Sequence, residues 1–211
     1  MSIKPILFNE DMVRAILDGR KTVTRRVVKP QPESFGKAYL YSGTICSING
    51  LNKQAPYHMG DILYVRETWA KNGKYYYKAD QKCKGCTKYG TCLPEETEAH
   101  ITCELCEDKG GYWKWRPSIH MPKEAARIWL KVTNVRVERL QDITTDQIEA
   151  EGIKTEHLYR PLNGEEKIYA FSQLWASTVK EEDINRYGWE ANPFVWVIEF
   201  ERCEKPQEVS H

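Results

Sequence analysis

The sequence predicts an α+β fold, a small and largely antiparallel β-barrel with flanking helices and one inserted module. Three observations carry that expectation. Short β-branched and aromatic runs outnumber helical repeats, without the alternation that a parallel sheet needs. The helical repeats sit at the flanks of these runs. A Cys-rich stretch, 81–111, interrupts the strands with almost no large apolar residue of its own. Of the 211 residues, 41% are hydrophobic and seven are Trp, so the chain can build a core without disulfides and is not disordered throughout.

In chain order, Asn9 reads as an N-cap, Glu10 and Asp11 suit the positive end of a helix, and Met12, Val13, Ile16 and Leu17 repeat on one face. A helix is therefore expected over 10–18, ended by Gly19. Val23 to Val28 is β-branched and reads as a strand. Pro30 and Pro32 end it and open a loop through Gly36, Gly43 and Gly50 that carries little signal. Gly60-Asp61 turns the chain into a strand over 62–67, and Tyr75-Tyr76-Tyr77 marks another. Ile128, Leu130 and Val132 alternate in one phase, Val135 and Val137 in the other, which implies a bulge near Thr133-Asn134. Thr144 to Gln147 matches a capping box for a short helix ending near Gly152. Ile168, Phe171, Leu174, Trp175 and Val179 give a longer amphipathic helix, and Phe194, Trp196, Ile198 and Phe200 a last half-buried strand. The expected organisation is one discontinuous domain, 1–80 with 112–205, the insert 81–111 and a tail, 206–211.

With 31 Lys and Arg against 30 Asp and Glu, the net charge is +1, so any nucleic-acid contact must come from a local patch. The longest apolar stretch, Phe194 to Ile198, falls far short of the roughly 18 residues of a membrane helix. The N-terminus reaches Asn9-Glu10-Asp11 before a signal-type apolar region forms, and a cytoplasmic location is expected.

Five of the seven cysteines lie between Cys83 and Cys106, and a reducing compartment favours metal ligation over disulfides. Cys83-x2-Cys86 and Cys103-x2-Cys106 enclose sixteen residues, a zinc spacing. Four thiolates complete a closed tetrahedral site, which is structural rather than catalytic. Cys92 can replace one ligand, bind a second ion or stay free, and His100 is a weaker substitute; two disulfides and a leftover thiol form the competing arrangement. Cys46 and Cys203 read as ordinary thiols.

From Gly19 to Pro32 stand Arg20, Lys21, Arg25, Arg26 and Lys29 with no acidic residue. A solvated strand edge explains such a run equally well. Along a regular strand Lys21 and Thr24 face opposite sides, but a turn after Gly19 lets both meet. Clustered positive charge then lowers the Lys21 pKa and makes its amine a base for the Thr24 hydroxyl. Asp146, Glu149 and Glu151 are the carboxylates that can relay the proton, and the pattern does not choose among them.

Gly19-Arg20-Lys21-Thr22-Val23-Thr24-Arg25-Arg26 resembles the Gly-x-Lys-x-x-x-x-Arg signature of ASCH domains, relatives of the PUA fold. Gly60-Asp61 and Phe194 to Phe200 fall where that family has its central turn and final strand. The N-terminal run and Trp115 to Pro122 are similar to larger ASCH proteins of phages and prophages. The resemblance implies a PUA-like barrel and the activity of small members that remove acetyl from N4-acetylcytidine. Carried over by motif, the catalytic groups are Lys21, Thr24 and Glu151, the last through Ile143-Thr144 and Glu149-x-Glu151. Arg26 would position substrate or stabilise the oxyanion, and Arg20 would add to the basic cleft. The zinc module, the long loop before Gly60 and the extra C-terminal helix depart from the small enzymes.

Trp113-Lys114-Trp115-Arg116 interleaves rings with charge, so Trp115 and Arg116 are candidate nucleic-acid contacts as well as a possible strand with one buried face. His120 reads as a structural hydrogen-bonding group, and Trp69, Trp129, Trp175 and Trp196 as core. The expected ligand is a nucleobase, nucleoside or RNA in a basic cleft, with hydrolysis of an N4-acyl group from cytidine. Non-catalytic binding of RNA or a modified base, and ribonuclease activity, are the alternatives.

Overall fold

The computed structural model describes residues 2–35, 38–41, 44–80, 114–153 and 160–207. The Cys-rich insert, with Cys83, Cys86, Cys92, His100, Cys103 and Cys106, lies outside the described residues, as does Trp113. The chain divides into two compact units. The first is Met1–Lys4, Ala15–Leu63 and Trp129–His211; the second is Pro5–Arg14 and Tyr64–Ile128.

The order begins β1 (Ile3–Leu7), α1 (Glu10–Leu17), β2 (Val23–Val27), β3 (Glu33–Phe35), β4 (Ala38–Tyr41), β5 (Thr44–Cys46) and α2 (Ile48–Asn52). It continues through β6 (Ile62–Arg66), β7 (Trp69–Asn72), β8 (Lys74–Tyr77), β9 (Trp129–Arg139), α3 (Thr145–Ala150), α4 (Gly164–Thr178), α5 (Ile184–Tyr187) and β10 (Phe194–Cys203). The α+β class holds. The main sheet runs β1-β6-β9-β10-β2, and β10 pairs antiparallel with both β9 and β2. It is open: among the described residues no ladder joins its edges β1 and β2, so the expected closed barrel is not formed. A physical reason lies at β2, where the approach to the strand is occupied by a helix end, with Thr22 N donating to Ala150 O at 2.8 Å.

The bulge lies where the alternation changes phase. Glu199 faces Asn134 while Phe200 faces Val132, so Thr133 is the extra residue. Phe194 to Ile198 is buried throughout rather than on one face, because β10 is interior to the sheet and covered on both sides. On one side Val23, Val195 and Val197 pack with Ile148, Phe171 and Trp175 of α3 and α4. The loop after Pro32 folds into the antiparallel meander β3-β4-β5 and the short α2, capped by the Ser47 hydroxyl.

The first unit also pins its own N-terminus. Asp61 accepts from Ser2 N at 3.1 Å, Ser2 Oγ at 2.8 Å, Lys4 Nζ at 2.9 Å and His58 N at 3.0 Å. Burial raises the Asp61 pKa, but these donors outweigh it and hold the carboxyl well below the usual range. In the second unit Gly73, at φ 73°, turns β7 into β8, and Arg127 grips the buried Glu67 through two nitrogens at 2.9 and 3.0 Å.

Candidate active site: a buried lysine and glutamate

Two chain turns create the site. Gly19, at φ 75°, ends α1, and the amides of Arg20 and Lys21 both donate to Ala15 O. The Thr22 amide then points to Ala150 while its carbonyl accepts from Phe200 N at 2.9 Å. In a regular ladder both groups of one residue face the same neighbour, so the chain is still turning at Thr22 and strand geometry starts at Val23. On the other side, Thr144 and Gln147 close a full capping box on α3, and Glu151 is its C-cap. Lys21 and Glu151 meet there in an antiparallel bridge.

The Lys21 amine donates to Glu151 Oε2 at 2.7 Å, Glu151 O at 2.9 Å and Val23 O at 2.8 Å. Those three acceptors match the three protons of an ammonium, and the Thr24 hydroxyl is not one of them. Arg25 holds the other carboxylate oxygen, Oε1, at 3.1 Å and Gln147 Oε1 at 2.7 Å, with its guanidinium 6.0 Å from the Phe171 ring. Lys21 is 2% exposed, Thr24 3% and Glu151 4%. Burial depresses the Lys21 pKa; Glu151 opposes that shift, and the charges of Arg26 and Arg25 add to it.

Strand alternation sorts the rest. Val23 and Arg25 face α3 and α4, while Thr24, level with Ile198, and Arg26, level with Trp196, face the other side. Burial lowers the Arg26 pKa, although a guanidinium stays charged. Tyr41 sets its ring edge on Trp196 at 6.3 Å on that side.

Lys21, Glu151 and Arg25 are thus brought together, and Thr24 with Arg26 occupies the neighbouring face. Arg20 donates to Gly152 O at 2.7 Å and Asp18 at 2.9 Å. Half-buried Trp115 and exposed Arg116 belong to the second unit, where Arg116 bridges to Trp69. His120 is exposed in a short 3-10 turn, and the four tryptophans expected in the core are buried. Among the three candidate carboxylates, Glu151 is buried, whereas Asp146 and Glu149 are exposed and Glu149 pairs with Lys167. Sequence reasoning missed the roles of Arg25 and Gln147. Gln147 and Glu151 are four apart and so share a helix face, a signal that could have found them. Among the described residues no three His, Cys, Asp or Glu side chains cluster as metal ligands, and no helix is long and apolar enough to cross a membrane. Compared with known families, curated proteins and solved structures, the chain matches none.

Proposed function

We propose that this chain hydrolyses an acyl group from the exocyclic amine of a cytidine, using Lys21, Thr24 and Glu151. The observation that carries the reading is the 2.7 Å contact between a water-excluded lysine of depressed pKa and a carboxylate, three residues before Thr24. In such a pair the proton passes from Nζ to Oε2, leaving a neutral amine. That amine takes the Thr24 proton as Oγ1 attacks the acyl carbon, and the C–N bond breaks as Glu151 protonates the departing nitrogen. Lys21 is again an ammonium and Glu151 a carboxylate. After the same internal proton shift, Lys21 deprotonates a water that attacks the threonyl ester, and Glu151 returns a proton to Thr24. Arg26, two residues along on the Thr24 face, offers positive charge to the carbonyl oxygen. The resemblance to ASCH domains supports the choice of substrate. Cys83, Cys86, Cys103 and Cys106 would hold a zinc ion that stabilises the insert and takes no part in these steps.

The test is N4-acetylcytidine with wild type and Thr24→Ala, following acetate and cytidine by NMR. Turnover by the wild type, reduced at least about 100-fold in Thr24→Ala with binding retained, is expected. An inert wild type overturns the reading. A second reading, non-catalytic binding of RNA or a modified base, is favoured by a different observation: all three ammonium protons already have acceptors. It predicts binding without turnover.

A further inference from the structure

The face of the main sheet that carries Arg25 holds further charges that the proposed steps do not use. Arg25 lies level with Val197, Val197 with Arg136, and Val195 with Glu138, while Glu199 stands two residues beyond Val197 on β10. Arg25, Arg136, Glu138 and Glu199 therefore project from one side of the sheet. Arg136 donates to Glu138 Oε1 from Nε and to Glu199 Oε1 from Nη1, so two carboxylates share one guanidinium. Around Glu151 the count is reversed, because Lys21 and Arg25 share one carboxylate. The outer set has one negative charge in excess and the inner set one positive charge.

Glu138 stands at the seam between them. Its Oε2 lies 3.7 Å from Arg25 Nη2, close enough for an ion pair and too far for a hydrogen bond. Both sides of the gap have bonding capacity left over: Glu138 Oε2 and Arg25 Nε are buried, and neither has a hydrogen-bond partner among the described residues. Leaving such a donor and acceptor unmade costs stability. The contact with Arg136 uses only Oε1, so it does not account for the second oxygen being buried beside Arg25.

The proposed proton shift gives that spare oxygen a use. When Lys21 Nζ passes its proton to Glu151 Oε2, Glu151 becomes neutral, while the Arg25 guanidinium keeps its charge. Arg25, its side chain 1% exposed, then holds only uncharged acceptors, Gln147 and the protonated acid. An unpaired buried charge opposes the shift. We infer that Glu138 is a positioning residue, the reserve counter-ion to which the Arg25 guanidinium turns as Glu151 takes the proton. The inference rests on the catalytic reading of Lys21 and Glu151. The other charges near Lys21 are unaltered by the shift: Arg26 acts on it from β2, Arg20 pairs with Asp18, and Glu149 of α3 pairs with Lys167 of α4.

The experiment compares wild type, Glu138→Gln and Glu199→Gln in two readouts. One is kcat and KM on N4-acetylcytidine across pH; the other is nitrogen NMR titration of Lys21 Nζ without substrate, assigned through Lys21→Met. Glu138→Gln removes charge and keeps shape. Its plateau kcat should fall about tenfold with KM unchanged, and the Nζ midpoint should move down by about one pH unit, because a negative charge that favoured the shared proton is gone. Glu199→Gln takes a charge from the same outer set but from a more exposed group that does not border Arg25, and should give less than about half of either effect. If the outer set served only to brace the sheet, both variants would lose stability and leave the Nζ midpoint in place. An unchanged kcat or Nζ midpoint in Glu138→Gln, or equal effects of the two variants, overturns the inference. Should Glu138→Gln unfold, Glu138→Asp, which draws the oxygens back by one methylene, should lower kcat about threefold and the midpoint by about half a pH unit, and wild-type values overturn it. A wild type inert on N4-acetylcytidine defeats the catalytic reading, and the Nζ titration then decides the counter-ion role by itself. Turnover with both readouts unmoved by Glu138→Gln defeats only the counter-ion role.

Discussion

Glu151 faces two cations, whereas Lys21 faces one carboxylate, and that asymmetry sets what each substitution does. Glu151→Ala strands the Lys21 ammonium away from water and leaves Arg25 only the longer, 3.7 Å contact with Glu138, so a loss of about 3–5 kcal/mol is expected. Lys21→Met leaves Glu151 its 3.1 Å contact with Arg25 and should cost about half as much. Urea unfolding midpoints at constant m-value measure both, and equal losses would refute the shared-carboxylate account. The depressed Lys21 pKa also makes a signed prediction. Below its folded value the amine is charged in both states and burial costs stability in full. Between that value and 10.5 the unfolded lysine keeps a proton that the folded one has shed, so stability climbs with pH and then levels off. Urea titrations from about pH 7 to 11 should show the climb in wild type and its loss in Lys21→Met. Turnover should fall over the same limb, because the proposed steps need the one proton that Lys21 and Glu151 share. Arg26→Gln, by removing a cation that pushes Lys21 down, should move its midpoint upward. At this scale the basic run and the helix carboxylates were visible in the sequence, but the choice of Glu151 from the residues alone was not. It is made by burial across 130 residues of sequence separation, which no local pattern encodes.

Elements were more legible where a local rule dominates. α1, the capping box of α3 and the Thr133 bulge follow from caps and alternation that act within a few residues. β1 was missed because Pro5 argues against a strand and is tolerated there only because β1 is a sheet edge, which is known only once the sheet is assembled. The meander β3-β4-β5 was missed because Pro and Gly spacing masks strands of three or four residues. The end of α3 shows how an element sets a site. Gly152 sits at φ 83°, and a Cβ there would lie 2.8 Å from the Lys21 Cβ and 2.7 Å from the Ala15 Cβ. Gly19 has a similar φ of 75° but open space around it. Gly19→Ala should therefore cost about 1–2 kcal/mol from backbone strain alone. Gly152→Ala should cost about 1–3 kcal/mol more and lose turnover, because the helix end must back away from Lys21. Paired unfolding and turnover measurements separate these outcomes; equal effects at the two glycines would show that the close packing does not hold the pair in place.

For the whole molecule, near-neutral net charge confines recognition to local fields, and the two units hold different ones: a buried ionic cluster on β2 and α3 in the first, an exposed basic and aromatic hairpin in the second. The Cys-rich insert stands between Asp80 and Lys114 of that second unit in sequence. Its composition offers little apolar surface to offset chain ordering, and the proposed zinc would supply that stabilisation. Paired Cys-x2-Cys knuckles predict about one zinc per chain, found by elemental analysis of protein purified without chelator. Cys83→Ser and Cys103→Ser should each remove most of it, while Cys92→Ser, outside both knuckles, should keep it. Because a thiol near pKa 8.5 must lose its proton to ligate, affinity should fall as pH is lowered, and titrated zinc release should follow acid rather than base. Metal-free protein with oxidised cysteines would instead mark the insert as a disulfide module. Retention of zinc by Cys103→Ser together with its loss from Cys92→Ser would transfer the fourth ligand to Cys92.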